Sequence, residues 1–270
     1  MTEDIYASFK ALKLERRDGV LLITLDNPPM NANTRQSHAE LARIFEVINH
    51  DATTKVVVIT GAGEKAFSAG GDIDAMLQRL EQGKHGEWNL GAQEGIHVVN
   101  GLLRLQKPLI ARINGHAMGF GATVAAFADF SFMMAKSRIA DTHVKIGLTA
   151  GDGGAAIWPL LIGFARAKRY LLTGDALTGR EAEDLGLITQ AVDSFEELDR
   201  LTWEMARRLE RGATLAINST KVAINQVMRR ILEGVIETHM GLETSTYLSN
   251  DHREAVKAFH EKREPRFTGT

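Results

Sequence analysis

Apolar positions run in short blocks and alternating stretches through residues 1–193 and then fall into helical spacing to the end, so the pattern itself divides the chain. LKLERR, the turn Asp18-Gly19 and VLLITLD, over residues 12–26, predict a β-hairpin. Thr34 is placed to cap a helix reaching about residue 49, with Leu41, Ile44, Phe45 and Ile48 on one face, and KVVVIT at 55–60 predicts a buried strand. Strand, helix, strand implies a right-handed crossover. Further on, a helix from Asp72 to about 80, a polar and mobile surface segment at 81–91 and an amphipathic helix at 93–105 lead to a strand at 109–113. A strand at 130–135, an extended segment at 138–146, helices at 155–161, 165–172 and 179–185, and a last strand at 187–192 follow. Residues 195–211, 214–232, 234–249 and 251–262 all read as helix. The expected class is α/β, with a core over 1–193 and a helical C-terminal unit over 194–270.

Composition narrows the functional classes. A formal net charge of -2 lacks the basic excess of a nucleic-acid binder, so an anionic ligand needs a local site. The absence of cysteine excludes disulfides, thiolate nucleophiles and cysteine-ligated zinc. Residues 1–19 carry no apolar leader core and no run is long enough to span a bilayer, so a cytoplasmic protein without membrane or nucleic-acid partners is expected.

Two glycine-rich stretches draw the chemistry together. NGHAMGFGATVAAFAD, at 114–129, places Gly115, Gly119 and Gly121 before a small-residue buried helix, and a helix start of this kind offers N–H donors to an oxyanion. GAGEKAFSAGGDI, at 61–73, contains Gly61, Gly63 and Ala66 at the spacing of a dinucleotide fingerprint. That fingerprint should feed a helix at once, whereas here the helix starts at Asp72, which makes Gly70-Gly71 a second loop of close backbone approach.

Together AFSAGGDI (66–73), NGHAMGFG (114–121), GLTAGDGG (147–154), LTGDALTGREAEDLGLI (172–188) and FHEKREPRF (259–267) resemble the crotonase, or enoyl-CoA hydratase/isomerase, superfamily. The resemblance implies a spiral of ββα repeats with a helical C-terminal trimerisation region, and a homotrimer or dimer of trimers. It also implies acyl-CoA thioesters as ligands, with coenzyme A part of the substrate and no metal or permanently bound cofactor. By position, the N–H groups of Gly71 and Phe120 form the oxyanion hole; the family usually has glycine at Phe120, whose ring should narrow or redirect the acyl pocket. Ala69, Gly70, Asp72 and Ile73 match CoA-binding positions, and Phe259 and Lys262 match the pair that covers the nucleotide.

Family hydratases use two glutamates, and at those positions this chain has Thr123 and His143. Threonine is too weak a base for proton abstraction, though its hydroxyl can position a water, whereas an ordinary histidine titrates near pH 6.5. Asp152, between Gly151 and Gly153, is the nearest extra carboxylate, so His143 with Asp152 is the expected proton-handling pair, ahead of His38, His97 and His116. The pair is also similar to that of 6-oxocamphor hydrolase, a crotonase relative that cleaves β-diketone C–C bonds. Three functions follow: an acyl-CoA hydratase or isomerase, a β-diketone C–C hydrolase, and a non-catalytic acyl-CoA-binding protein.

Overall fold

Leu12–Arg17 (β1) and Val20–Leu25 (β2) pair antiparallel, turning at Asp18, whose φ of 53° is left-handed and tolerated by aspartate. The computed structural model describes residues 5–270, and of His85 only the backbone. Residues 1–4, part of the stretch read above for a leader, lie outside the described residues.

The chain then alternates between two sheets. Val56–Gly61 (β3), Leu109–Ile113 (β5), Phe130–Met134 (β7) and Gln190–Val192 (β10) extend the hairpin into a six-stranded sheet of order β1-β2-β3-β5-β7-β10, parallel after the first pair. Ala66–Ser68 (β4), His116–Met118 (β6), Arg138–Ala140 (β8) and Leu177–Thr178 (β9) form a four-stranded sheet in that order. After the hairpin, each winding contributes one strand to each sheet, which is the expected ββα spiral. Every residue of β3 is buried, as its unbroken apolar run requires, and each fully buried Val or Ile contributes roughly 1.5–3 kcal/mol.

Helices connect the windings. Arg35–His50 (α1) starts at Thr34, whose side chain accepts the Ser37 N–H, and Ile73–Glu81 (α2) starts at Asp72, which accepts that of Ala75. His85–Arg104 (α3) replaces the expected mobile segment at 81–91: helix begins at His85, and the Trp88 ring stacks on Tyr247 at 4.0 Å while its Nε1–H reaches Thr244 Oγ1 at 2.9 Å. The Gly61/Gly63 turn leads into β4 and not into a helix, so no dinucleotide turn is present there. Phe120–Ala126 (α4) is entirely buried. The segment expected to be extended over 138–146 keeps only β8; His143–Ile146 close into a 3-10 turn ended by left-handed Gly147. Gly154–Ile162 (α5), Phe164–Thr173 (α6) and Gly179–Leu185 (α7), the last with a Thr178/Glu181 capping box, complete the spiral.

Phe195–Glu210 (α8) lies across the large sheet, where Leu198 and Ala206 pack with Val20, Val56, Val58, Ile110 and Val192. Thr214–Leu232 (α9), Val235–Tyr247 (α10) and Asn250–His260 (α11) follow; α10 packs on α3, and α11 on α2 and the 3-10 turn. The C-terminal helices therefore help to enclose the space between the two glycine loops. Among the described residues, no helix is long and apolar enough to cross a membrane.

Candidate active site

Asn114 ties the two glycine loops together. Its Oδ1 accepts the Gly61 N–H at 3.0 Å, and its Nδ2 donates to the carbonyls of Gly63 and Ala66 at 2.7 and 3.1 Å. Beyond this clamp, Gly70 and Gly119 adopt φ of 82° and 51°, a region that favours glycine, and each turns the following N–H, of Gly71 and of Phe120, out of the backbone ladders. A Cβ at Gly70 would stand 2.7 Å from the Met118 carbonyl and 3.4 Å from the Phe120 nitrogen, so the two turns touch. Among the described residues, neither the Gly71 nor the Phe120 N–H has an acceptor. Both residues line one cavity of about 1030 Å³, including its solvent-open mouth.

The expected proton-handling residues meet in that cavity. His143 is fixed by Asp141, whose Oδ1 accepts its backbone N–H at 3.2 Å and faces its Nδ1 at 2.7 Å. On the other side of the ring, Nε2 stands 3.1 Å from Asp152 Oδ2, and the Thr123 hydroxyl donates to Asp152 Oδ1 at 3.2 Å. Asp141, His143, Asp152 and Thr123 are all buried. Burial alone would lower the His143 pKa, but the negative charges of Asp152 and Asp141 and the hydrogen bonds to both outweigh it and raise it well above 6.5. His143 therefore holds its proton more tightly than an ordinary histidine does. Asp141, His143 and Asp152 offer ligand atoms within 4.8 Å of one another, a spacing that also suits a metal, and both ring nitrogens of His143 face carboxylates.

The glycines around Asp152 serve packing more than mobility. A Cβ at Gly151 would meet the His239 carbonyl at 2.4 Å, one at Gly153 (φ 120°) would meet Thr123 Cγ2 at 2.8 Å, and one at Gly154 would run into Asp141 Oδ2 at 1.8 Å. Side chains there would push Asp152 away from Thr123 and His143.

Two acids in or beside this cluster were missed by sequence reasoning. Asp141 has a local signal, because an acid two residues before a histidine can reach its ring. Glu243 has only its helical spacing with Ile236, Met240 and Tyr247: α10 brings it from 91 residues beyond Asp152, buried in the cavity wall with Oε2 lacking a partner among the described residues. Burial first, and then the charge of Asp152, push its carboxyl up to about 8. Phe120 is both core and wall: it is buried, and its ring lies 4.9 Å from that of His38. His38 Nδ1 contacts Glu94 Oε2 at 3.0 Å, and Arg35 Nη2 donates to Glu94 Oε1 at 2.6 Å, so His38 serves the wall. His116 accepts the Arg138 N–H, and His97 is exposed outside the cavity.

Of the positions matched to coenzyme A, Ala69, Asp72 and Ile73 line the cavity and Gly70 forms the turn beside it. Phe259 and Lys262 lie outside the cavity, at the end of α11 and just beyond it, with Phe259 60% exposed. α11 packs on α2, and His260 Nδ1 lies 3.2 Å from Asp74 there, so the two residues sit on the same side of the molecule as the Ala69–Ile73 turn.

Comparison with known proteins agrees with this architecture. The profile of the enoyl-CoA hydratase/isomerase family matches residues 15–270. The chain is 32% identical to 1,2-epoxyphenylacetyl-CoA isomerase of Escherichia coli, over 93% of this chain and 95% of that one. An enoyl-CoA hydratase/isomerase structure from Mycobacterium paratuberculosis superposes with a TM-score of 0.85 at 30% identity, covering 92% of this chain and 97% of that chain. A β-diketone hydrolase from the cyanobacterium Anabaena, solved with (S)-3-oxocyclohexyl acetic acid, superposes with a TM-score of 0.81 at 26% identity, over 91% of this chain and 97% of its own. With the family profile spanning nearly the whole chain and the ββα spiral in place, this protein belongs to the enoyl-CoA hydratase/isomerase, or crotonase, family of enzymes.

Proposed function

We propose that the cavity binds an acyl-CoA thioester and moves protons or water at its acyl chain. The observation that carries this reading is the pair of N–H groups, of Gly71 and Phe120, without an acceptor among the described residues and opening into the same cavity as the buried His143–Asp152 pair. Two donors held in place before the reaction stabilise the negative charge that gathers on a thioester oxygen when the α carbon loses a proton. Asp152 takes that proton. The imidazolium of His143, anchored by Asp141, offsets the charge on Asp152, and the Thr123 hydroxyl orients the carboxylate without acting as a base. Phe120 and His38 narrow the acyl side of the cavity.

Ala69, Gly70, Asp72 and Ile73 border the pantetheine and adenine in this reading, and Phe259 and Lys262 cover the nucleotide, where Lys262 offers positive charge to phosphate. No resident cofactor is needed. The assembly is a homotrimer or dimer of trimers working in the cytoplasm; Leu215, Ile224, Val227 and Ile231, exposed on α9, supply an apolar face for it. The test is a panel of CoA esters of varied chain length: micromolar binding and turnover are expected, and a lack of both removes the reading.

A second reading, hydrolysis of a cyclic β-diketone, is favoured by the His143–Asp152 pair and by the likeness to the Anabaena β-diketone hydrolase. In it the pair activates a water that adds to one carbonyl, and the C–C bond then breaks to give an enolate. Release of a carboxylic acid from diketones, with CoA esters left intact, would make it the better account.

A further inference from the structure

Adding water across a double bond, or removing it, needs one group that exchanges a proton at carbon and another that exchanges one at oxygen. Neither residue at the two family glutamate positions can supply the second. The Thr123 hydroxyl is committed to Asp152, and both ring nitrogens of His143 face carboxylates.

Glu243 is the remaining buried acid in the cavity wall among the described residues. It projects from α10 on the same face as Met240, three residues earlier and also in the wall. Its Oε2 has no hydrogen-bond partner among the described residues, and a Cβ at Gly151, the residue before Asp152, would lie 2.8 Å from that oxygen. The charged groups that reach it are Asp152, His143 and Asp141; His239, one turn earlier on α10, is disfavoured from charging by burial. Burial and then the charge of Asp152 outweigh the His143 charge and the Gly151 N–H, which act the other way, so the Glu243 carboxyl is pushed up to about 8 and keeps its proton.

We propose that Glu243 is the catalytic acid for an oxygen on the β carbon of the acyl chain, so that the enzyme interconverts β-hydroxyacyl and α,β-unsaturated CoA thioesters. The inference rests on the acyl-CoA reading above. In the elimination direction Asp152 takes the α proton, and the electron pair of that C–H bond is held as an enolate against the N–H groups of Gly71 and Phe120. The pair then forms the α,β double bond as the β C–O bond breaks, and the Glu243 proton goes to the departing oxygen, which leaves as water. The proton on Asp152 returns to Glu243 before the next turnover, so water is the only by-product. Addition is the reverse. One carboxyl placed to accept and one kept protonated by its surroundings let a single cavity run both halves of the reaction at one pH.

The test is Glu243→Gln assayed on three reactions. Dehydration of a β-hydroxyacyl-CoA thioester should fall by about 10²-fold or more. Exchange of the α proton for deuterium, which needs only Asp152 and the oxyanion donors, should stay within about threefold of wild type. Elimination of acetate from a β-acetoxy thioester, whose leaving group needs no proton, should also stay near wild type. Retained dehydration, or loss of all three reactions together in a protein that still folds, would overturn the assignment. Should the variant fail to fold, the wild-type pH profile decides: dehydration is expected to decline above about pH 8 while acetate elimination does not, and parallel profiles would count against Glu243. Absence of both α exchange and turnover in the wild-type enzyme would instead remove the acyl-CoA reading itself.

Discussion

Glu243→Gln also tests the buried cluster through stability, independently of catalysis. The glutamate carboxyl has an ordinary value of 4.5 and is pushed up to about 8 by burial and by the charge of Asp152. Below pH 4.5 the folded and unfolded chains both hold this proton, and glutamate behaves much like its amide isostere. Between 4.5 and about 8 the folded chain holds it while the unfolded chain releases it, so this residue costs stability progressively as pH rises. Above about 8 the loss levels off. At about 1.4 kcal/mol per pH unit, the glutamine protein should gain roughly 3 kcal/mol on wild type between pH 5 and pH 8. Urea unfolding of both proteins at matched concentration, at pH 5 and pH 8, measures the gap. A gap that is the same at both pH values would show that Glu243 ionises freely in the folded protein, and the burial argument would fail.

Other expectations follow from the same geometry. His143→Ala and Asp152→Ala should each lower turnover of a CoA thioester by about 10²-fold or more with little change in CoA affinity; a rise in KM alone would place them in binding. Nitrogen NMR of His143 at pH 7.5 should show both ring nitrogens protonated, because its pKa lies well above 6.5; a neutral tautomer would contradict the role of the flanking carboxylates. The stability this raised pKa contributes is complete below pH 6.5 and is lost as pH rises through the folded value. Gly153→Ala combines a φ of 120° with a contact of 2.8 Å to Thr123 Cγ2, so it should destabilise the fold by about 1–3 kcal/mol, and an unchanged melting temperature would refute that.

Much of this could be read along the chain because its causes are local. Hairpin turn, Thr34 and Asp72 caps, and the unbroken apolar run of β3 each declare themselves within a few residues. The glycines of 114–121 announced a close approach, although β6 within that stretch did not show, since three residues are too few for a strand signal. Residues 81–91 misled because polar and glycine-rich composition outweighed the anchoring of Trp88 on Tyr247 and Thr244, which comes from far along the chain. The reason for the glycines beside Asp152 is not local, because their surroundings have backbone and side-chain atoms packed where a Cβ would stand. Glu243 had only its place in the helical stripe of Ile236, Met240 and Tyr247 to mark it, and nothing local ties it to Asp152. That spacing puts it on the buried face of α10, but what the face meets is set only once α10 is laid across α3.

The central claim is that a thioester is polarised by Gly71 and Phe120 while Asp152, held by His143, acts on its acyl chain. The most direct measurement is a crystal structure with a non-reactive CoA thioester bound. The account predicts the thioester oxygen about 3 Å from both backbone nitrogens, with Asp152 against the α carbon and Glu243 toward the β carbon. A thioester oxygen lying away from both N–H groups, or an acyl chain turned away from Asp152, would contradict it.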